Sequence, residues 1–250
     1  MSRGSLAWIV AWVVQGAAVA TAADLVLVAN GKPLASIVLA SQPTRAAQLA
    51  AFELQEHVRL ITDAVLPIVR DVKAAKGIRI FVGASPGVAA PDDLADQEYA
   101  VLFRPRTIVL IGRDTEDHGE VRYWVPDIPG GYDYLTWPGM FDEKGTLHAT
   151  YEFLERLCGI RWFDQSEFGT DAPRAKTLRV SPQDLRKKPA FRYRDAGYSP
   201  VTMDRYDNEC SLWTVRWNES TPRFQEWMDL IYERGRKLPV CAHPHRWLDY

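Results

Sequence analysis

Residues 145–163 constrain the fold more than any other part of the chain, because they predict a helix followed at once by a strand. Four apolar residues recur at helical spacing and predict a stripe that faces the core: Leu147, Tyr151, Leu154 and Cys158. Thr146 is placed to cap the free amides of the first helical turn. Gly159 stands where a helix ends in a left-handed residue, and Ile160 and Trp162 begin the strand.

The sequence upstream alternates predicted strands with one long helix. Strands at 25–29 and 34–40 flank Asn30-Gly31, a strong hairpin signal. The helix begins at Pro43-Thr44 and ends near Thr62, and its predicted inner face consists of Ala50, Leu54, Val58 and Ile61. Further strands are predicted at 65–70, 78–83, 99–103, 107–112 and 176–181, with a tight turn at 104–106. This alternation predicts a layered α/β sandwich.

Composition places the chain among ordinary globular proteins, with 47% hydrophobic and 25% charged residues. The formal net charge of -2 leaves no basic surplus, so nucleic-acid binding is disfavoured. The three cysteines do not indicate a disulfide framework: Cys158 is predicted to be a buried thiol, and the state of Cys210 and Cys241 stays open. No glycine-rich phosphate loop, Ser/His/Asp pattern or Cys-x-x-Cys occurs in the sequence, which therefore predicts no cofactor.

The first 23 residues have the pattern of a signal peptide. Arg3 supplies the positive start, residues 6–14 are apolar, and Ala20-Thr21-Ala22 is a cleavage site of the A-x-A kind. We therefore expect an exported chain, periplasmic or extracellular, whose folded part begins near Asp24. The alternative is an uncleaved signal anchor, which would be the one expected link to a membrane.

Residues 113–144 lack clear periodicity and are rich in glycine, proline, aspartate and aromatic residues. A segment of this length within a compact domain is usually functional or disordered, and the aromatic content argues against disorder. The aromatic residues are Trp124, Tyr132, Tyr134, Trp137 and Phe141. They could stack on sugar rings, with Tyr134 and Trp137 as the chosen contacts, or they could pack on the rest of the protein.

The motif that begins at Gly145 also resembles a signature of carbohydrate-active enzymes. The matching residues are Gly145, Thr146, Ala149, Tyr151, Phe153, Leu154, Glu155, Gly159, Arg161 and Trp162. With Glu53-Leu54 and the strand at 78–83, they resemble the non-catalytic N-terminal α/β domain of family 67 α-glucuronidases and family 20 β-hexosaminidases. The resemblance covers about residues 24–195, although Gln165-Ser166-Glu167 replaces the usual proline-glycine-glutamate. It implies a β-hexosaminidase domain-2-like sandwich over residues 24–186 and a polysaccharide or oligosaccharide as partner.

Residues 189–194 resemble the entry to the first strand of the catalytic barrel in those enzymes. A (β/α)8 barrel needs about 250 residues. Residues 187–250 therefore allow only the first one or two βα units of an incomplete barrel. We expect a fragment or truncated product of a glycoside hydrolase-like protein, inactive by itself. The alternative is a stand-alone exported carbohydrate-binding or interaction module.

The C-terminal residues supply the remaining candidates for a sugar site. Arg194 would lie at the end of the first barrel strand, and the resemblance implies that it holds sugar hydroxyls; an interdomain ion pair is the alternative. His243 and His245 could lie in the same sugar site, bind a metal ion together with Cys241, or be plain loop residues. We choose the sugar site and predict no metal site.

No pair of carboxylates in the sequence indicates a catalytic acid and base. Asp92-Asp93 is predicted to cap a short helix. Glu116-Asp117 is predicted to lie in a solvated turn. The sequence therefore predicts no catalytic residue.

Overall fold

The structure is a computed structural model that describes residues 23–126, 136–139, 142–162 and 170–189. The predicted signal peptide, apart from its last residue, and the predicted barrel units beyond Pro189 lie outside these residues. In chain order the elements are β1 (Leu25–Ala29), β2 (Lys32–Pro33), β3 (Ala35–Val38), α1 (Arg45–Thr62), β4 (Ile68–Val69), β5 (Ile78–Val82), β6 (Tyr99–Arg104), β7 (Thr107–Gly112), α2 (Gly145–Cys158), β8 (Arg161–Trp162), β9 (Thr170–Asp171), β10 (Leu178–Val180) and β11 (Leu185–Lys187).

A six-stranded sheet in the order β11-β6-β7-β5-β3-β4 forms the centre of the domain. Strands β4, β3, β5 and β7 are parallel to one another, whereas β6 and β11 run antiparallel to their neighbours. A second sheet has the order β10-β1-β2, and β8 pairs with β9. The sheets and two helices confirm the predicted α/β class.

Both helices pack on one face of the six-stranded sheet. Alternation along β5 directs Ile80 and Val82 into the main core with the helices, and Phe81 into a smaller apolar cluster on the opposite face. The smaller cluster also contains Val109 and Ile111 of β7. No helix among the described residues is long and apolar enough to cross a membrane.

Helix α1 agrees closely with its prediction. Thr44 is the N-cap, because its Oγ1 accepts a hydrogen bond from the Ala47 amide at 3.1 Å. The helix ends at Asp63, which has a left-handed backbone (φ 62°) and donates its amide to the Arg59 carbonyl. The predicted inner residues are all buried: Ala50, Leu54, Val58 and Ile61.

Helix α2 confirms the predicted apolar stripe and its stop, but not its cap. Leu147, Tyr151, Leu154 and Cys158 are buried, and Gly159 has φ 80°. The cap prediction for Thr146 is wrong: its hydroxyl accepts a hydrogen bond from the Gly112 amide at 3.2 Å, on β7. A side chain from outside the helix, that of Asp114, accepts the Thr146 amide instead.

The predicted hairpin at Asn30-Gly31 forms with a shorter partner strand than expected. Both turn residues have positive φ, 51° and 73°, as a two-residue hairpin turn requires. The hairpin partner of β1 is the two-residue β2, β10 pairs with the other edge of β1, and the chain then enters the six-stranded sheet as β3. The two predicted strands therefore lie in different sheets.

Two further predictions about local structure are corrected. The strand β10 is not the last, since β11 follows it and pairs with β6. Asp92-Asp93 caps no helix: residues 92 and 93 form a turn. The Asp93 carboxylate instead pairs with Arg186 of β11, at 3.0 Å.

Candidate functional site

Asp114 joins the N-termini of both helices. It follows β7, and its Oδ1 accepts a 2.9 Å hydrogen bond from the Thr146 amide in the first turn of α2. Its Oδ2 accepts a 2.9 Å hydrogen bond from the hydroxyl of Thr44, the N-cap of α1. One carboxylate therefore lies at the positive ends of two helix dipoles, where negative charge is stabilising.

The pKa of Asp114 is raised to about 6, chiefly by burial of the carboxyl group between the two helix ends. The hydrogen bonds from Thr146 and Thr44 oppose this shift because they favour the charged form. A carboxyl that titrates near neutral pH is frequent in functional sites and also in structural networks. Since both oxygens are bonded to the helix ends, we interpret Asp114 as a structural anchor.

Glu53 and His57 are among the fully buried polar side chains of helix α1. The hydroxyl of Tyr123 donates to Glu53 Oε1 at 2.6 Å. The indole N–H of Trp162 on β8 donates to His57 Nε2 at 3.2 Å. We call these four residues the α1 polar chain; it connects residues 121–125, α1 and β8.

The hydrogen bonds of His57 define its tautomer. Because Nε2 accepts from Trp162, the proton of the neutral ring must be on Nδ1. Nδ1 lies 2.7 Å from the backbone oxygen of Glu53 and donates to it. His57 is thus a neutral residue within the core.

Three aromatic rings form a stack on the outer side of α1. The centroids of Phe52 and Tyr123 are 5.5 Å apart, and those of Tyr123 and Trp137 are 5.7 Å apart with an interplanar angle of 10°. We call Phe52, Tyr123 and Trp137 the aromatic stack. It attaches the aromatic-rich segment to the helix layer.

The structure places Trp137 inside this stack. Its side chain is 1% exposed, and its indole N–H donates to the Arg122 carbonyl at 3.3 Å. In this position the ring packs on its own domain, which was the alternative to sugar binding. Its role as a sugar contact stays a prediction. By contrast, Trp124 of the same segment is 61% exposed.

The other predicted sugar contacts lie outside the described residues: Tyr134, Arg194, His243 and His245. The alternative metal site with Cys241 also lies outside. Within the part of the chain that the structure describes, no group of three or more potential metal-ligating side chains occurs.

Glu116 and Asp117 differ in their surroundings. Glu116 is exposed and pairs with His118, two residues further on, at 3.1 Å, as expected of a solvated turn. Asp117 instead pairs with Arg45 at 2.9 Å, and its backbone oxygen accepts the Arg45 amide at 2.7 Å. The prediction of a solvated turn is therefore wrong for Asp117, which fixes the start of α1.

Sequence reasoning missed the residues that organise the interior. Glu53 and His57 are four residues apart and each directly precedes an inner apolar residue of α1, a spacing that could have indicated a buried polar pair. Asp114 lies two residues after the end of β7, but nothing in the sequence shows that two helix ends converge on it. The sequence instead favoured Thr146, in the first turn of α2, as the cap of that helix.

No family model matches this chain, and no curated protein matches it. Among solved structures it is similar to a family 115 4-O-methyl-α-glucuronidase with specificity for decorated arabinogalactans, at 17% identity and a TM-score of 0.45. It is also similar to the β-hexosaminidase of Streptomyces plicatus and to the family 20 β-N-acetylhexosaminidase of Streptomyces coelicolor A3(2). Both are 14% identical to it, with TM-scores of 0.40 and 0.39.

These likenesses concern part of each enzyme. The matches cover 74%, 69% and 68% of this chain, but only 22%, 24% and 24% of the three solved chains. The chain thus spans less than a quarter of the length of each. At these identities and TM-scores neither a family nor a function follows for this chain.

Proposed function

We propose that this chain is the N-terminal accessory portion of an exported carbohydrate-active protein of the glycoside hydrolase kind. Hydrolysis of glycosidic bonds would require residues of a catalytic barrel beyond this chain. The described domain would support that barrel and contribute no catalytic group of its own.

The observation that carries this proposal is the burial of residues in the signature segment, which is the motif of residues 145–162 that resembles those enzymes. The following residues of that segment are buried: Thr146, Ala149, Tyr151, Phe153, Leu154 and Trp162. They hold α2 against α1 and the six-stranded sheet. The segment that resembles the enzymes therefore builds a scaffold, and the resemblance at 189–194 supports a barrel as the next domain.

The proposal is tested by assaying this 250-residue chain and the product of the native gene on 4-nitrophenyl α-glucuronide and β-N-acetylglucosaminide. We expect no hydrolysis by the chain alone. We expect the native product to exceed 28.3 kDa and to hydrolyse one of the substrates. Hydrolysis by the chain alone, or a native mass reduced only by the signal peptide, would overturn the proposal.

A second candidate function is glycan binding by the domain itself, and the exposure of Trp124 favours it. An exposed indole offers a flat apolar face to a sugar ring. The neighbouring Tyr123 is held by the aromatic stack and by Glu53, so the backbone that carries Trp124 is firmly supported.

This candidate predicts that Trp124→Ala weakens binding to a soluble polysaccharide at least about tenfold, a loss typical of a central aromatic contact. Val72→Ala is the matched control, since Val72 is also an exposed apolar residue. Isothermal titration with each variant makes the measurement. Equal affinity of the two variants, or absence of binding by the parent chain, excludes the candidate.

A further inference from the structure

Strand β11 is a short edge strand. It has three residues at the edge of the six-stranded sheet and pairs with β6, from Leu185 opposite Val101 to Lys187 opposite Tyr99. Three residues are the lower limit of the usual strand length, so backbone pairing supplies few hydrogen bonds. Side-chain contacts add to the hold on β11.

Arg186 provides the first of these contacts. Its Nε donates to Glu98 Oε1 at 2.7 Å, and its Nη1 donates to both carboxylate oxygens of Asp93 at 3.0 and 3.1 Å. Its Nη2 donates to the Asp93 backbone oxygen at 3.0 Å. All three guanidinium nitrogens are thus bonded, in the fork geometry that gives arginine its directional strength.

Glu98 is well placed to receive Arg186. Its side chain is only 15% exposed, and its Oε2 accepts the Ala95 amide at 2.7 Å. The pKa of Glu98 is lowered, first by the hydrogen bond from Arg186 and then by that from Ala95. The carboxylate is therefore already oriented by its own segment before Arg186 binds it.

Lys187 provides a contact on the opposite face of the sheet. Its ammonium group lies 2.6 Å from Glu152 Oε1 on α2, and the Glu152 side chain is 11% exposed. The Tyr99 hydroxyl donates to the other oxygen of Glu152 at 3.3 Å. Glu152 therefore connects α2, β6 and β11.

The two contacts together define the register of β11. Successive side chains of a strand point to opposite faces, so Arg186 meets Asp93 and Glu98 on one face while Lys187 meets α2 on the other. A slip by one residue would exchange the faces and break both contacts. Asp184 adds a third attachment, because its carboxylate accepts the Phe103 amide at 2.6 Å.

We propose that Asp93, Glu98, Glu152, Arg186 and Lys187 form an exit clamp, which fixes the register of β11 and so the direction in which the chain leaves the domain after Lys188. The clamp positions Lys188 and Pro189 relative to the sheet and to α2.

The test compares the full chain with the double variant R186Q/K187Q. The matched control is R174Q/K176Q, which removes two positive charges that pair with Asp63, away from β11. Amide hydrogen exchange is measured for residues 99–104 and 185–188. In the clamp variant we expect exchange there to be about 5- to 20-fold faster, whereas the control stays within about twofold of the parent chain.

A second measurement tests the direction in which the chain leaves the domain. Spin labels are attached at Val65→Cys and Lys188→Cys in a chain that carries Cys210→Ser and Cys241→Ser; Cys158 can stay because it is buried. We expect one narrow distance distribution in the parent and the control, and a broad one in the clamp variant. An equally narrow distribution in the clamp variant, or unchanged exchange, would overturn the proposal. If R186Q/K187Q does not fold, E98Q is measured in the same way and decides by the same criteria.

Discussion

Both carboxylate oxygens of Asp114 are bonded to the starts of helices, through Thr44 on α1 and Thr146 on α2. Replacing Asp114 by alanine removes an acceptor from each helix, so we expect a loss of about 2 kcal/mol in the free energy of unfolding at pH 7. Asp114→Asn keeps one acceptor oxygen and should therefore lose less unfolding free energy than Asp114→Ala. Urea unfolding of the three proteins makes the comparison, and an alanine variant as stable as the parent chain contradicts the role of the anchor.

The same residue predicts a pH dependence. Its pKa is about 6 in the folded chain against an ordinary value of 3.8, so the folded state binds the proton more tightly. The contribution of Asp114 to stability is therefore largest below about pH 4 and decreases as the pH rises through 6. The free energy of unfolding of the parent, measured relative to that of Asp114→Asn, should fall by up to about 3 kcal/mol between pH 4 and pH 7. If this difference in unfolding free energy stays constant, or increases with pH, the pKa of Asp114 is not raised in the folded chain.

At the scale of elements, β7 and α2 come into direct backbone contact at two glycines. A Cβ added to Gly112 would lie 2.2 Å from the backbone carbonyl carbon of Gly145. No side-chain rotation can relieve this clash, so Gly112→Ala should separate the helix from the strand and cost about 2 kcal/mol or more. Gly31→Ala is the control, since an added Cβ meets no atom within 4 Å there. Its positive φ still disfavours alanine, and we expect this to cost about 1 kcal/mol in unfolding free energy.

Thermal and urea unfolding of both glycine variants give the comparison. Gly112→Ala must be clearly the less stable of the two. Equal stability would mean that α2 can move away from β7 at little cost, contrary to the tight packing inferred here.

The α1 polar chain attaches residues 121–125 to the helix layer through one hydroxyl group. Tyr123→Phe keeps the ring in the aromatic stack but removes the 2.6 Å hydrogen bond to the buried Glu53. We expect a loss of about 1–2 kcal/mol in unfolding free energy, because a buried carboxylate oxygen loses its donor. Tyr99→Phe is the control: its bond to Glu152 is longer, and Glu152 keeps its ion pair with Lys187. The interpretation is wrong if the two variants are equally stable.

At the scale of the whole molecule, local patterns predicted elements better than they predicted partners. The approximate ends of α1, its inner face, the apolar stripe of α2 and the strand at 107–112 were all available from spacing and propensity. The sequence could not show that β1 and β3 enter different sheets or that β11 returns to β6, because such pairings join residues far apart in the chain. For the same reason Asp114 and the exit clamp were missed: their partners lie 30 or more residues away.

The aromatic residues that could contact a sugar were harder to predict than the fold. The sequence identified an aromatic segment but could not tell a buried ring from an exposed one. In the structure Trp137 is enclosed and Trp124 is open to solvent, although both are tryptophans of the same segment. Exposure is decided by tertiary packing, here by stacking on Tyr123 and Phe52.

The position of the core leads to the last prediction. Among the residues that the structure describes, those that build the apolar clusters on both faces of the six-stranded sheet lie between Leu25 and Leu185. Residues 23–189 produced alone should therefore unfold in one cooperative urea transition, with the same near-ultraviolet circular dichroism in the aromatic region as the full chain. A chain that ends at Val180 is the control: it lacks β11 and exposes the edge of β6, so it should be less stable. If residues 23–189 show no cooperative transition, the domain depends on later residues, and the boundary proposed after residue 186 is wrong.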